Sequence, residues 1–142
     1  MLRYVPALYH AAPKLCWRSP ITRTSWRSRR RPRSGATRSP DASWIKSERW
    51  NRLTENEKAS FAPICPDCVI ELRSTSDTLS ELQAKMQEYI SNGVLLGWLI
   101  DRKNRTVHIY RPHQSPQIIE NPSQVNGDPE LPGFSLLMAK IG

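Results

Sequence analysis

Between Pro63 and Asp101 the order of residue types leaves the chain little freedom. Pro63 and Pro66 stop any preceding helix, and Cys68-Val69-Ile70-Glu71-Leu72 then has the branched, apolar make-up of a buried strand. Ser74 to Asp77 is a polar loop. Thr78 with Glu81 has the spacing of a capping box, which predicts a helix to about Ser91. Leu79, Leu82, Met86, Tyr89 and Ile90 fall on one face of it at 3.6-residue periodicity. Asn92-Gly93 is a left-handed stop, and Val94 to Ile100 reads as a central strand. Two buried strands joined through one amphipathic helix make a β-α-β crossover.

The flanks extend the sheet. Asp101 to Arg105 turns the chain into Thr106-Val107-His108-Ile109-Tyr110, an antiparallel partner, and Gln117 to Glu120 adds an edge strand. Upstream, Ala42-Ser43-Trp44-Ile45 is a short strand entered from Ser39-Pro40-Asp41. Ser47 is expected to cap a short helix through Leu53, and Thr54 with Glu57 predicts a further helical turn through Phe61. Gly127-Asp128-Pro129 turns the chain toward a closing apolar segment, Leu131-Pro132-Gly133-Phe134. The expected class is α/β, a mixed sheet with a crossover helix.

Charge divides the chain in two. The net charge is +8, yet residues 1–40 hold ten Arg and Lys and no acid, whereas residues 41–142 hold eleven against thirteen Asp and Glu. The basic character therefore belongs to the N-terminal segment, and the body must bind any polyanion through its own motifs. Residues 1–33, with four prolines and the run Arg27-Ser28-Arg29-Arg30-Arg31-Pro32-Arg33, show no apolar periodicity and are expected to be disordered. Three readings compete for them: a phosphate-gripping arm, an organelle transit peptide, or an out-of-frame read joined to a genuine domain at residues 34–142. The third is favoured. With no run of 18 apolar residues a membrane span is excluded. Three cysteines argue against a disulfide scaffold and suit a reducing cytoplasm.

The residues able to carry chemistry are Asp41, Asp67, Glu71, Arg73 and Lys85. On a strand the even spacing of Asp67, Glu71 and Arg73 puts them on one face, where a carboxylate needs a partner. A divalent cation such as Mg²⁺, which takes hard oxygen ligands and retains waters, is one partner. On spacing alone plainer partners are favoured: Glu71 with Arg73 along the strand, Asp67 as a turn cap, and Lys85 with Glu81 at helical i,i+4 spacing.

Three stretches resemble one family. RSPDASW at 38–44, APICPDCVIELRS at 62–74 and KMQEYISNGVLLGWLID at 85–101, with GDPELPGF at 127–134, are similar in order and content to the Uma family. These are bacterial restriction-endonuclease-like proteins of the PD-(D/E)XK nuclease superfamily, and the likeness covers roughly residues 34–142. It implies a restriction-endonuclease-like fold that hydrolyses DNA phosphodiester bonds with Mg²⁺. The implied ligands are Asp41, Glu71 and the carbonyl of Leu72, with Lys85 near the phosphate and Asp67 accessory. Arg73 stands where the superfamily's lysine usually follows the glutamate, and a guanidinium cannot act as a base. DNA is the implied partner, and a homodimer suits an enzyme that cuts both strands. The alternative is an inactive remnant or nucleic-acid-binding module of the same fold.

The remaining signals are weaker. Cys65-x-x-Cys68 enters a strand rather than a helix and lacks two further ligands, so both thiols read as packing. His10, His108 and His113 look incidental, and Trp44, Trp50 and Trp98 read as core. Arg102-Lys103-Asn104-Arg105 is a solvated hairpin tip whose three cations could steer a phosphate backbone.

Overall fold

The computed structural model describes residues 15–17, 40–56 and 65–141. In chain order the elements are β1 (Leu15–Trp17), β2 (Ala42–Lys46), α1 (Ser47–Asn51), β3 (Cys68–Leu72) and α2 (Leu79–Ser91). There follow β4 (Leu96–Asp101), β5 (Thr106–Tyr110), β6 (Gln117–Glu120), β7 (Gln124–Asn126), β8 (Ser135–Leu137) and a 3₁₀ turn at Met138–Lys140. Strands β1 to β6 form one sheet in sequence order, and β7 pairs with β8 separately. Every neighbouring pair is antiparallel except β3 and β4, which run parallel because α2 carries the chain back between them.

Each element is explicable locally. Thr78 caps α2 by accepting from the Glu81 N–H, the first half of the expected box, and its hydroxyl, rather than its backbone N–H, donates to the Glu81 carboxylate at 2.6 Å. Asn92 ends the helix and Gly93 follows at φ +110°, a conformation that favours glycine. Because side chains alternate along a strand, β3 and β4 serve two cores. Cys68, Ile70, Leu96, Trp98 and Ile100 face the β7–β8 hairpin with its Val125, Leu131, Phe134 and Leu136. Val69 and Leu99 face α2 through Leu82, Met86 and Tyr89. Gly97 lets the helix come close, since a Cβ there would lie 2.5 Å from Met86 Cε. Trp44, Trp50 and Trp98 are buried as expected, the first and last against Phe134.

Four local expectations are adjusted. Ser47 is the first residue of α1 rather than its cap; Lys46 occupies the cap without a side-chain bond, and the helix ends at Asn51. Glu55 and Asn56 are helical, and the rest of the turn expected through Phe61 lies outside the described residues. The central strand starts at Leu96, because Leu95 and Leu96 both donate to the Asp67 carbonyl as the chain enters the sheet. The closing apolar segment is the loop of a hairpin whose two strands carry one inward side chain each, Val125 and Leu136. Within residues 1–33, Leu15–Trp17 forms a strand against Trp44–Lys46; the remainder of that segment lies outside the described residues.

The hairpin loop is tight at Gly127, where a Cβ would lie 2.7 Å from Leu131 Cβ and 3.1 Å from the Leu131 carbonyl oxygen. Neither atom can swing aside, unlike the end of Met86. Gly127→Ala is therefore expected to destabilise the fold by about 1–3 kcal/mol in urea unfolding. Unchanged stability would show that the loop relaxes freely.

Candidate active site

The β2–β3 register brings the first two predicted residues together. Ala42 lies opposite Ile70, so continuing the antiparallel pairing by one residue sets Asp41 across from Glu71. Opposed residues on antiparallel strands point to the same face. Here it is the α2 face, because Val69, two residues before Glu71, packs on the helix. Asp41 Oδ2 accepts a hydrogen bond of 2.8 Å from the Leu72 N–H, which pins its carboxylate to the end of β3.

Glu71 is only 3% exposed. Its Oε1 accepts from the Tyr89 hydroxyl at 2.8 Å and pairs with Lys85 Nζ at 2.9 Å. Lys85 and Tyr89 are four residues apart on α2, so one helical face delivers both. The Lys85 ammonium also sits 5.8 Å from the centre of the Tyr89 ring. Burial pushes the Glu71 carboxyl up to about 7, against the opposing pull of Lys85 and the Tyr89 hydrogen bond and with the nearby Asp41 charge adding to the rise. Asp41, just before β2, Glu71 on β3 and Lys85 on α2 thus form one cluster. Lys85 does not use its i,i+4 partner Glu81, whose carboxylate is taken by Thr78.

The other two predicted residues go elsewhere. Asp67 precedes β3, roughly 13 Å along the strand from Glu71 at the usual rise per residue. Its carboxylate binds Arg49 at 2.6 Å and the Lys46 N–H at 2.8 Å, tying α1 to the sheet. Arg73 pairs with Asp101 at 2.6 Å and donates to the Asp77 carbonyl, so it braces β3 against β4 and the loop before α2. Burial alone would raise the Asp101 carboxyl, but the Arg73 and Asn104 hydrogen bonds hold it below the usual carboxylate range. The alternative Glu71–Arg73 pair does not form; each has its own partner.

Two participants were not singled out from the sequence. Tyr89 reads as one more residue of the apolar stripe, although its i+4 relation to Lys85 marks a shared face. Asp101 ends a buried strand level with Arg73, a relation visible only once β3 and β4 are known to be parallel. His108, on the α2-facing side of β5, is 5% exposed with no hydrogen-bond partner for Nδ1 among the described residues, and burial holds its pKa below the ordinary value. The Cys68 thiol is buried and driven up by that burial, and the Cys65 thiol donates to the Pro66 carbonyl at 3.4 Å. Among the described residues no helix is long and apolar enough to cross a membrane.

Against known proteins, the sequence matches the family Uma2, putative restriction endonuclease, over residues 7–139. That match begins inside the basic segment, upstream of the likeness read from the sequence near Ser34. No curated protein matches the chain. Among solved structures it is similar to a putative nuclease belonging to DUF820 from Anabaena variabilis ATCC 29413, with 26% identity and a TM-score of 0.60. The similarity covers 74% of this chain and 59% of that one, so the chain spans about three fifths of that protein's length. A mixed sheet with a crossover helix, an Asp–Glu pair across two antiparallel strands, and a match over most of the sequence lead to one assignment: the chain belongs to the Uma2 family.

Proposed function

We propose that the chain is a metal-dependent endonuclease domain that hydrolyses DNA phosphodiester bonds at the Asp41–Glu71–Lys85 cluster. The observation that carries this reading is the convergence of two acids and a lysine, far apart in sequence, around the end of one strand. A merely structural ion pair would not need the second acid facing it. The donor set suits Mg²⁺. Asp41 Oδ2 is held by Leu72 and Glu71 Oε1 by Lys85 and Tyr89, and no described residue donates a hydrogen bond to Asp41 Oδ1 or Glu71 Oε2. Among the described residues no cluster of three or more acids, His or Cys forms a cage. Two carboxylates with waters and a substrate phosphate are the usual surroundings of Mg²⁺. The Leu72 carbonyl is the third ligand that the resemblance implies.

Bound there, a divalent cation supplies a water of lowered pKa and charge neutralisation at the scissile phosphate. The protein's own share is positional. Leu72 orients Asp41; Tyr89 and Lys85 orient Glu71; and Lys85, part-exposed, holds a positive charge beside the place where charge develops on the phosphate. Arg73 is engaged with Asp101 and Asp77 and serves as a brace. A cytoplasmic setting, with reduced thiols, fits this reading, and a homodimer would supply the second site needed to cut both strands. The second reading, a binding module without cleavage, is favoured by one observation: the ten cations of residues 1–40. It predicts salt-sensitive DNA binding with no Mg²⁺-dependent cutting.

Supercoiled plasmid with Mg²⁺ separates the two. The protein is expected to nick it, EDTA to stop the reaction, and Asp41→Asn or Glu71→Gln to slow it by at least about 10²-fold. Parental rates in the Glu71→Gln variant would contradict the assignment. Lys85→Met is expected to lower turnover by about 10²–10³-fold while leaving DNA binding largely intact. Comparable losses in both would make Lys85 a binding residue only.

A pH profile of stability tests the buried carboxyl. Folded Glu71 keeps its proton to about pH 7, whereas the unfolded side chain loses it near about 4.3. The folded state therefore holds more protons between those values. This stabilising contribution is complete below about 4.3 and is lost as pH rises through 7. In EDTA, Glu71→Gln should gain on the parent across that window by on the order of 3 kcal/mol, read from urea midpoints. Parallel profiles would contradict the burial described here.

A further inference from the structure

We infer that the β4–β5 hairpin tip, Arg102 to Arg105, and the pocket beneath it form a second contact for the DNA strand, gripping a phosphodiester away from the cleaved bond. The inference rests on the nuclease reading above and adds where the substrate lies. The pocket has a volume of about 410 Å³. It is lined by Arg102 and Arg105 of the hairpin, by Asn121 and Ser123 after β6, and by Met138 and Ile141 of the C-terminal turn. Lys103 is exposed at the same tip. Anion-binding cations therefore border a wall able to take the apolar side of a sugar.

The tip is shaped rather than loose. Arg105 adopts φ 55°, and its carbonyl accepts a 2.7 Å hydrogen bond from the Asn121 N–H, fixing the tip to the end of β6. Arg102 Nη1 lies 3.3 Å from the Ile141 carbonyl oxygen and donates to it, holding the C-terminal turn under the hairpin. Met138 N–H donates to the Ser123 carbonyl at 3.0 Å, joining the C-terminal turn to the segment after β6. Asp101, the acid bordering the pocket, is 1% exposed and already engaged by Arg73 and Asn104. Its charge is thus largely compensated, and the rim presents cations.

Position links this feature to the acid cluster. Asp101 is level with Arg73 on the adjoining parallel strand, and Arg73 lies two residues beyond Glu71 on β3. Strand geometry then sets Arg102 and Arg105 roughly 10–15 Å from Glu71 at the Cα positions, at the same end of the sheet; the pocket opens on the β7–β8 face, where Met138 and Ile141 pack, so a strand that touches both features passes around that end. At about 3.4 Å of rise per nucleotide, a path around the sheet end spans at least about three to four nucleotides of one strand. Residues 41–142 carry a small net negative charge, two more acids than bases, so a cluster of three cations at this place is not a sample of a generally basic surface.

The test is binding, not cutting. Fluorescence anisotropy of a labelled duplex with the full chain in EDTA, from 50 to 200 mM salt, gives the slope of log K against log salt. Arg102→Gln/Arg105→Gln should lower the magnitude of that slope by about 1.8, two phosphate contacts at about 0.9 each. Arg102→Lys/Arg105→Lys should retain it, and Arg52→Gln, just after α1 at the other end of the sheet, should leave it unchanged. Thermal unfolding of each variant separates lost contacts from lost fold; if the Gln pair unfolds, the Lys pair and the single Arg102→Gln and Arg105→Gln variants decide, each single one costing about 0.9 of slope. An unaltered slope in folded Gln variants overturns the hairpin contact even where Glu71-dependent nicking persists. Loss of slope with no nicking by the parent leaves the contact standing and overturns the nuclease reading alone.

Discussion

A carboxylate that is 3% exposed is costly to ionise, and the site is organised around that cost at Glu71. Lys85 and Tyr89 partly offset it from α2 by binding one oxygen of the carboxylate. For both to reach β3, the helix must start at Thr78 and lie close over the sheet, as the capping box and the bare backbone of Gly97 allow. Asp41 arrives by a separate route, the β2–β3 register, and adds a second negative charge facing the first. Removing the proton from Glu71 is thus opposed by burial and by Asp41, which is the electrostatic state that a divalent cation relieves.

The charged residues of the strand ends fall into two kinds. Asp67 with Arg49, and Arg73 with Asp101, are pairs in which a cation meets an acid and neighbouring backbone or amide groups complete the contacts. They fasten α1 and the β4–β5 hairpin to the sheet. The Asp41–Glu71–Lys85 group differs in having two acids for one cation. This excess of acid, rather than charge or burial alone, distinguishes a candidate for catalysis from a brace. The hairpin that Arg73 and Asp101 secure also carries the exposed arginines, so the brace sets the distance between the two proposed DNA contacts.

Much of this was legible along the chain. Thr78 and Glu81, the 3.6-residue stripe and Asn92-Gly93 specify α2 without knowledge of its partners, because capping and periodicity are local. Face parity placed Glu71 and Arg73 together, and the resemblance pointed to Asp41 and Lys85. What failed to show was registry between strands. Asp67 shares the parity of Glu71 but sits at the other end of β3, and only the pairing with β2 reveals which acid Glu71 meets. Arg73 finds Asp101 across a parallel ladder whose alignment the sequence does not state. The β7–β8 hairpin was missed because strands with one inward residue apiece leave no alternation to read, and Tyr89 was hidden by the apolar company that its ring keeps.

Direct titration with Mn²⁺, followed by its electron paramagnetic resonance signal, tests the central claim without depending on turnover. The account predicts one ion per chain near neutral pH, with affinity reduced by at least about 10-fold when Asp41 is made Asn and again when Glu71 is made Gln. Binding that persists unaltered in both variants, or no binding by the parent chain with DNA present, would contradict it.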